Sequence, residues 1–142
     1  MTLKAYPTSS SHLENFEHKD VGFDVEKALS FSLNYPEIRP MMSFLTEEKQ
    51  VVFICGLSAI SEGIWEAWLI PSIHINKYPI QTVRAMKDFT NWLLTDYPAH
   101  RVQIAVLDEN VKWAKAIGFQ FESIVKKYHS GKDHFMYVKV RE

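Results

Sequence analysis

Residues 65–94, WEAWLIPSIHINKYPIQTVRAMKDFTNWLL, decide the fold of this chain. The first segment, WEAWLI, is rich in aromatic and branched residues, which favours a buried strand. Pro71 ends that strand because proline cannot donate a hydrogen bond to a ladder, and Pro79 suits the first position of a helix. The apolar residues that follow recur at helical spacing: Ile80, Val83, Met86, Phe89, Leu93 and Leu94. The stretch therefore predicts a strand, a short connector and a long amphipathic helix, whose free N–H groups would favour an anion.

The composition around this stretch is that of a soluble globular protein. The chain has 142 residues, of which 46% are hydrophobic and 23% charged, so we expect one domain spanning residues 1–142. A net charge of −1 gives no electrostatic case for nucleic acid or membrane. The single cysteine, Cys55, lies in the apolar run VVFICG, which favours a buried thiol and a reducing compartment. Without a spanning segment or signal peptide, a cytoplasmic location is expected.

The segments on either side of the central stretch complete a mixed α/β pattern. Before it, Asp24 is placed to cap a helix, and two apolar runs joined by short turns to the Trp65 strand predict an antiparallel meander. After it come a strand, a short helix ended by Gly118 and a hairpin. The predicted strands span 2–6, 41–46, 50–59, 65–70, 101–107, 119–128 and 133–140, and helices begin near residues 12, 25, 79 and 111. The order β, α, α, β, β, β, α, β, α, β, β predicts a mostly antiparallel sheet with helices on both faces.

This order resembles the GNAT family of N-acetyltransferases. The best match is the closing segment, in which RVQIAVLDEN and a short helix lead to Ile117, Gly118 and Phe119 and then a hairpin. The resemblance covers nearly the whole chain. It implies that acetyl-CoA lies in a V-shaped split between the fourth and fifth strands. The acceptor would be an amine on a small molecule or a protein.

The resemblance also implies which residues bind the cofactor. Pantetheine would pair with the fourth-strand backbone near Trp68, Leu69 and Ile70, and a backbone N–H near Leu69 would polarise the thioester carbonyl. The diphosphate would lie on the loop that opens the third helix, where free N–H groups and the helix dipole favour anions. His74 and Lys77 would add side-chain charge there, and Tyr78 is assigned to the same site.

Glu66 is the candidate catalytic residue, because many members of the family have a glutamate on the fourth strand as general base. The alternative is a glutamate on a solvated face of the sheet or paired with arginine or lysine. The family tyrosine that protonates the leaving thiolate corresponds here to Ala114, and Asn110 lies outside the register of the family asparagine. Tyr78, Tyr97 and Tyr128 are candidates to replace that acid, or they are packing residues.

The remaining polar features have plain interpretations. His129 and His134 flank a turn, and without a matching ligand spacing we expect no metal site. The basic segment 126–132 would contact a phosphate or form a solvated hairpin tip.

A rival hypothesis follows from the connector. Residues 72–79 contain no glycine, which would let backbone approach a phosphate closely, and Pro79 lacks an N–H. With Trp113 and the Gly-Phe pair kept, the pattern is similar to small GNAT-like proteins of T7-like tailed bacteriophages. The chain would then be a catalytically inactive GNAT-like domain, associated with a virion or binding a host protein. In that case side chains such as Tyr78 or His74 would fill the split.

Overall fold

The computed structural model describes residues 1–21, 23–97 and 99–141. Gly22, a predicted break before the second helix, and Pro98, in the predicted loop after the long helix, lie outside these residues. The strands are β1 (Lys4–Pro7), β2 (Met41–Leu45), β3 (Val51–Ser61), β4 (Ile64–Pro71), β5 (Arg101–Val106), β6 (Gln120–Val125) and β7 (His134–Val140). The helices are α1 (Ser10–Leu13), α2 (Val25–Asn34), α3 (Pro79–Thr95) and α4 (Val111–Ile117).

The element order predicted from the sequence is confirmed, and several boundaries move. The strands form one sheet in the order β1-β2-β3-β4-β5-β7-β6, with β4 and β5 parallel and the other pairs antiparallel. Asp24 caps α2 by accepting from the N–H of Lys27 at 3.1 Å. Gly118 ends α4 with a left-handed φ of 105°. Strand β6 stops at Val125, earlier than predicted, because the chain turns at Lys127 with φ 47°.

Helices cover both faces of the sheet. One buried cluster joins α3 and α4 to the sheet, through residues that include Phe53, Cys55 and Met86. A second cluster joins α1 and α2 to the other face, around Ile54 and Ile70. From Phe53 to Cys55, successive residues of β3 thus enter opposite clusters, as expected for a strand buried on both sides. In the described part of the chain, no helix combines the length and apolarity needed to cross a membrane.

The two central strands diverge. Strands β4 and β5 pair from Ile64–Arg101 to Ala67–Ile104. Beyond that point the strand that β4 pairs with is β3, up to Pro71, while β5 continues to Val106 paired with β7. The split lies between the fourth and fifth strands, as the resemblance implied.

Candidate functional site

A cavity of about 330 Å³ lies where β4 and β5 diverge. One wall is the end of β4 and the other is the end of β5 with Leu107. Helix α3 contributes Thr82 and Met86, α4 contributes Trp113, Ala114 and Ile117, and Asn110 lies just before α4. The opposite face contributes Val21, Phe23, His129, Lys132 and His134. The divergent strands therefore open a cleft that helices α3 and α4 line on one face of the sheet, and that loops and the start of β7 line on the other.

Leu69 presents its backbone to this cleft. Ser72 donates its N–H to Val52 O at 2.9 Å, which continues the β3–β4 register. Because hydrogen-bonded pairs alternate along an antiparallel ladder, Trp68 and Ile70 also direct their backbone groups toward β3. Leu69 directs its N–H to the other side, where pairing with β5 has ended at Ala67. The backbone contact expected of all three residues is thereby restricted to Leu69.

Segment 17–19 covers the β4 edge beyond Leu69. The N–H of Lys19 donates to Pro71 O at 3.0 Å, and the N–H of Ile73 donates to Glu17 O at 3.0 Å. His18 forms an isolated bridge with Ser72. The open part of the β4 edge is therefore short and centred on Leu69.

Glu66 lies in the wall of the same cleft, on the α2 side of the sheet. It is 8% exposed, so it is not on a solvated face. Its Oε1 accepts hydrogen bonds from Gln103 Nε2 and Tyr128 Oη, each at 2.9 Å, and its Oε2 accepts from Tyr128 Oη at 3.1 Å. His129 Nε2 is 3.7 Å from Oε2. A buried carboxylate with charged or polar partners at a cleft is a candidate for acid–base chemistry.

The β6–β7 loop delivers Tyr128 to Glu66. Lys127 and Ser130 have positive φ values of 47° and 55°. The loop is closed by Asp133, which accepts from the N–H of Lys127 at 3.0 Å, and by Tyr128, which donates its N–H to Lys132 O at 2.8 Å. Burial, followed by the hydrogen bond to Glu66, raises the pKa of Tyr128 to about 12. The phenol therefore stays protonated and donates to the carboxylate at neutral pH.

Aromatic rings flank the carboxylate. The Trp68 indole covers Gly56 so closely that a Cβ there would lie 2.0 Å from the ring. Phe23 meets Trp68 edge-on at 6.2 Å between centroids and lies 6.5 Å from His129. Because only glycine leaves room for the indole, Gly56 is part of what keeps Trp68 in this wall.

The other predicted site residues lie elsewhere. Ile70 is fully buried in the second cluster, and Lys77 is exposed. Tyr78 packs against the first cluster, and Tyr97 meets Trp65 edge-on at 5.7 Å. Of the described residues that line the cleft, none is His74, Lys77 or Tyr78. The side chains expected to plug the split under the rival hypothesis are thus outside it.

Sequence reasoning missed Gln103. The run RVQIAVL alternates, and Gln103 is the polar residue between Val102 and Ile104. Parallel pairing places Gln103 beside Glu66. The sequence does show a polar residue on the strand face opposite the buried one. Placing that residue beside Glu66, however, requires the register of β4 against β5, which the sequence does not show.

Comparison with solved structures identifies the fold of this chain, whereas comparison of sequences finds no relative. No family model and no curated protein matches the chain. Ribosomal-protein-S5-alanine acetyltransferase from Vibrio fischeri superposes with a TM-score of 0.72 at 16% identity, over 100% of this chain and 94% of that one. Spermidine N-acetyltransferase from Vibrio cholerae, in complex with CoA and spermine, superposes with a TM-score of 0.75 at 14% identity, over 99% and 96%. This chain has the GNAT fold.

Proposed function

We propose that the protein transfers the acetyl group of acetyl-CoA to a primary amine. The observation that carries the proposal is the divergence of β4 and β5 beyond Ala67, which places the Leu69 N–H and the Glu66 carboxylate in one cleft. Both superposed enzymes are acetyltransferases by name, and the Vibrio cholerae enzyme is an N-acetyltransferase, which supports the same reaction class here.

The chain's own groups fit two of the charges that develop in such a transfer, and the third, on the departing CoA thiolate, would be neutralised by a proton from solvent. The Leu69 N–H would donate to the carbonyl oxygen as it becomes negative, an oxyanion-type contribution. Glu66 would accept the proton that the amine loses when it attacks. His129, whose side chain is 47% exposed, lies between the carboxylate and solvent. It would pass the proton from Glu66 to solvent.

Acetyl-CoA would supply the activated thioester, and the cleft fits one end of it better than the other. The apolar walls near Leu69, Ile104 and Ala114 suit the acyl and pantetheine end. The connector is less suited to a diphosphate, because its N–H groups already donate within the chain. These include Ile73 to Glu17 O, His74 to Ser72 Oγ, Ile75 to Ser72 O, Lys77 to His74 O and Tyr78 to Ile75 O.

A transfer assay tests the proposal. The protein is mixed with acetyl-CoA and either spermidine or a peptide with a free N-terminal alanine, and both CoA release and the mass of the amine are measured. We expect acetylation of at least one amine. Glu66→Gln should slow it by roughly 10²–10⁴-fold, the usual contribution of a positioned base. Wild-type protein that acetylates neither amine, or a Glu66→Gln variant of equal rate, would contradict the proposal.

A further inference from the structure

A line of polar side chains crosses the sheet from β6 to β4. Glu122 on β6 accepts two hydrogen bonds from Arg101 on β5, at 2.7 Å from Nη1 and 2.5 Å from Nη2. Arg101 Nε donates to Gln103 Oε1 at 3.0 Å. Gln103 Nε2 in turn donates to Glu66 Oε1 at 2.9 Å. Each donor on this line has one acceptor, so the line of hydrogen bonds is continuous from the exposed edge of the sheet to the cleft.

Arg101 determines which end of the Gln103 amide faces Glu66. A guanidinium has donors and no acceptor, so the amide end beside it must be the oxygen. The NH₂ end is then left to donate to the carboxylate. The bidentate pair with Glu122 fixes the plane of the guanidinium, so the orientation of Gln103 is set two strands away from the cleft.

Tyr128 holds the carboxylate from the other side. Its hydroxyl lies 2.9 Å from Oε1 and 3.1 Å from Oε2 of Glu66. A phenol that remains protonated can only donate to a carboxylate. Gln103 lies on β5 and Tyr128 on the β6–β7 loop, and together they restrict the rotation of the Glu66 side chain.

We propose that Gln103 and Tyr128 are positioning residues that hold the Glu66 carboxylate at the cleft, and that Arg101 acts through Gln103. The inference rests on the proposed function for the role of Glu66 as base. Hydrogen bonds to a carboxylate favour its charged form, which is the form that accepts a proton. Loss of either donor should therefore leave the carboxylate less firmly held and slow the transfer.

The first test needs no activity. Protein labelled with ¹³C at the glutamate carboxyl carbons is compared by NMR at one neutral pH, with Glu66→Gln assigning the resonance. In Gln103→Leu and in Tyr128→Phe, we expect the Glu66 resonance to move from its wild-type position, because each variant removes a hydrogen-bond donor from the carboxylate. Tyr97→Phe removes a hydroxyl away from the cleft and serves as the matched control. A Glu66 resonance equal to wild type in both variants would overturn the inference.

The second test separates positioning from substrate binding. In the acetyl-transfer assay, kcat should fall roughly tenfold in each variant with KM unchanged, and a rise in KM alone would overturn the proposal. Arg101→Met should lower kcat in protein that retains Gln103. It should have no effect on kcat in the Gln103→Leu variant, because the effects of two residues that act through one another are not additive. Additive losses would overturn the role of Arg101. Inactive wild-type protein would refute the proposed function, while the NMR comparison would still decide whether these residues hold the carboxylate.

Discussion

The proposed role of Leu69 belongs to its backbone. Its N–H faces the cleft because Ser72 fixes the alternation of the β3–β4 ladder. The side chain packs against the first cluster, so the residue's packing and its proposed chemistry are separable. Two positions further along the strand, Pro71 occupies the same side of the ladder without an N–H.

A proline at position 69 tests the N–H directly. Leu69→Pro removes the donor that faces the cleft and leaves the hydrogen bonds to β3 in place, as Pro71 already does. We expect kcat to fall by roughly 10²–10³-fold, the usual cost of one oxyanion donor. Leu69→Ala keeps the N–H and measures the contribution of the side chain. If the two variants had equal rates in folded protein, as judged by circular dichroism, the N–H would have no such role.

Single residues could be predicted from the sequence only where one element sufficed. Glu66 and Leu69 follow from their positions on one strand of a recognisable order. Gln103 and the inward position of Tyr128 depend on a parallel register and on a loop with positive φ at Lys127 and Ser130. A lysine or a serine in a sequence does not predict a positive φ, because both residues usually adopt negative φ.

The connector before α3 contains no glycine between Ser72 and Pro79. Ile75–Lys77 form a 3-10 turn, and Pro79 is the first residue of α3. In this turn, N–H groups of the connector donate hydrogen bonds to neighbouring carbonyl oxygens. The free groups that favour a diphosphate at a helix start are consequently fewer here.

A truncated donor tests this consequence. We expect S-acetyl-pantetheine, which lacks the diphosphate and the nucleoside, to have a kcat/KM within roughly tenfold of that of acetyl-CoA, or about 1.4 kcal/mol. Pro79→Ala adds one N–H to the first turn of α3 and should improve acetyl-CoA relative to the truncated donor. A preference for acetyl-CoA of several hundredfold in wild-type protein would show that the connector does bind the diphosphate.

Periodicity predicted the elements better than their ends. Strong signals, such as the helical spacing from Ile80 to Leu94 and the glycine after α4, gave α3 and the end of α4 correctly. The first helix was predicted to begin near residue 12 and spans Ser10–Leu13, because a four-residue helix has almost no periodicity to read. Short elements are positioned by contacts that the sequence does not display.

At the scale of the whole molecule, Cys55 reports on the integrity of the core. The thiol is fully buried, and burial raises its pKa from 9.0 to about 12. The folded protein therefore holds this proton more tightly than the unfolded chain. The resulting contribution to stability is complete below pH 9 and is lost as pH rises toward 12.

Alkaline unfolding of the Cys55→Ala variant tests whether the thiol's contribution to stability falls as pH rises. Relative to the variant, wild-type protein should lose about 1.4 kcal/mol of unfolding free energy per pH unit between pH 9 and 11, the value for one proton. Urea unfolding at half-unit pH steps gives both curves, and their difference removes the other titrating groups. Parallel curves would mean that the thiol is accessible in the folded state.

Binding of acetyl-CoA to the cleft between β4 and β5 is the central claim, and calorimetry measures it most directly. Wild-type protein should bind one equivalent, and acetyl-CoA at 100 times its Kd should raise the unfolding free energy by about 2.7 kcal/mol. Ala105→Trp places a large side chain in the half-buried β5 wall of the cleft and should weaken binding at least roughly tenfold by occupying that volume. The absence of binding at millimolar acetyl-CoA, or equal binding by the variant, would contradict the account.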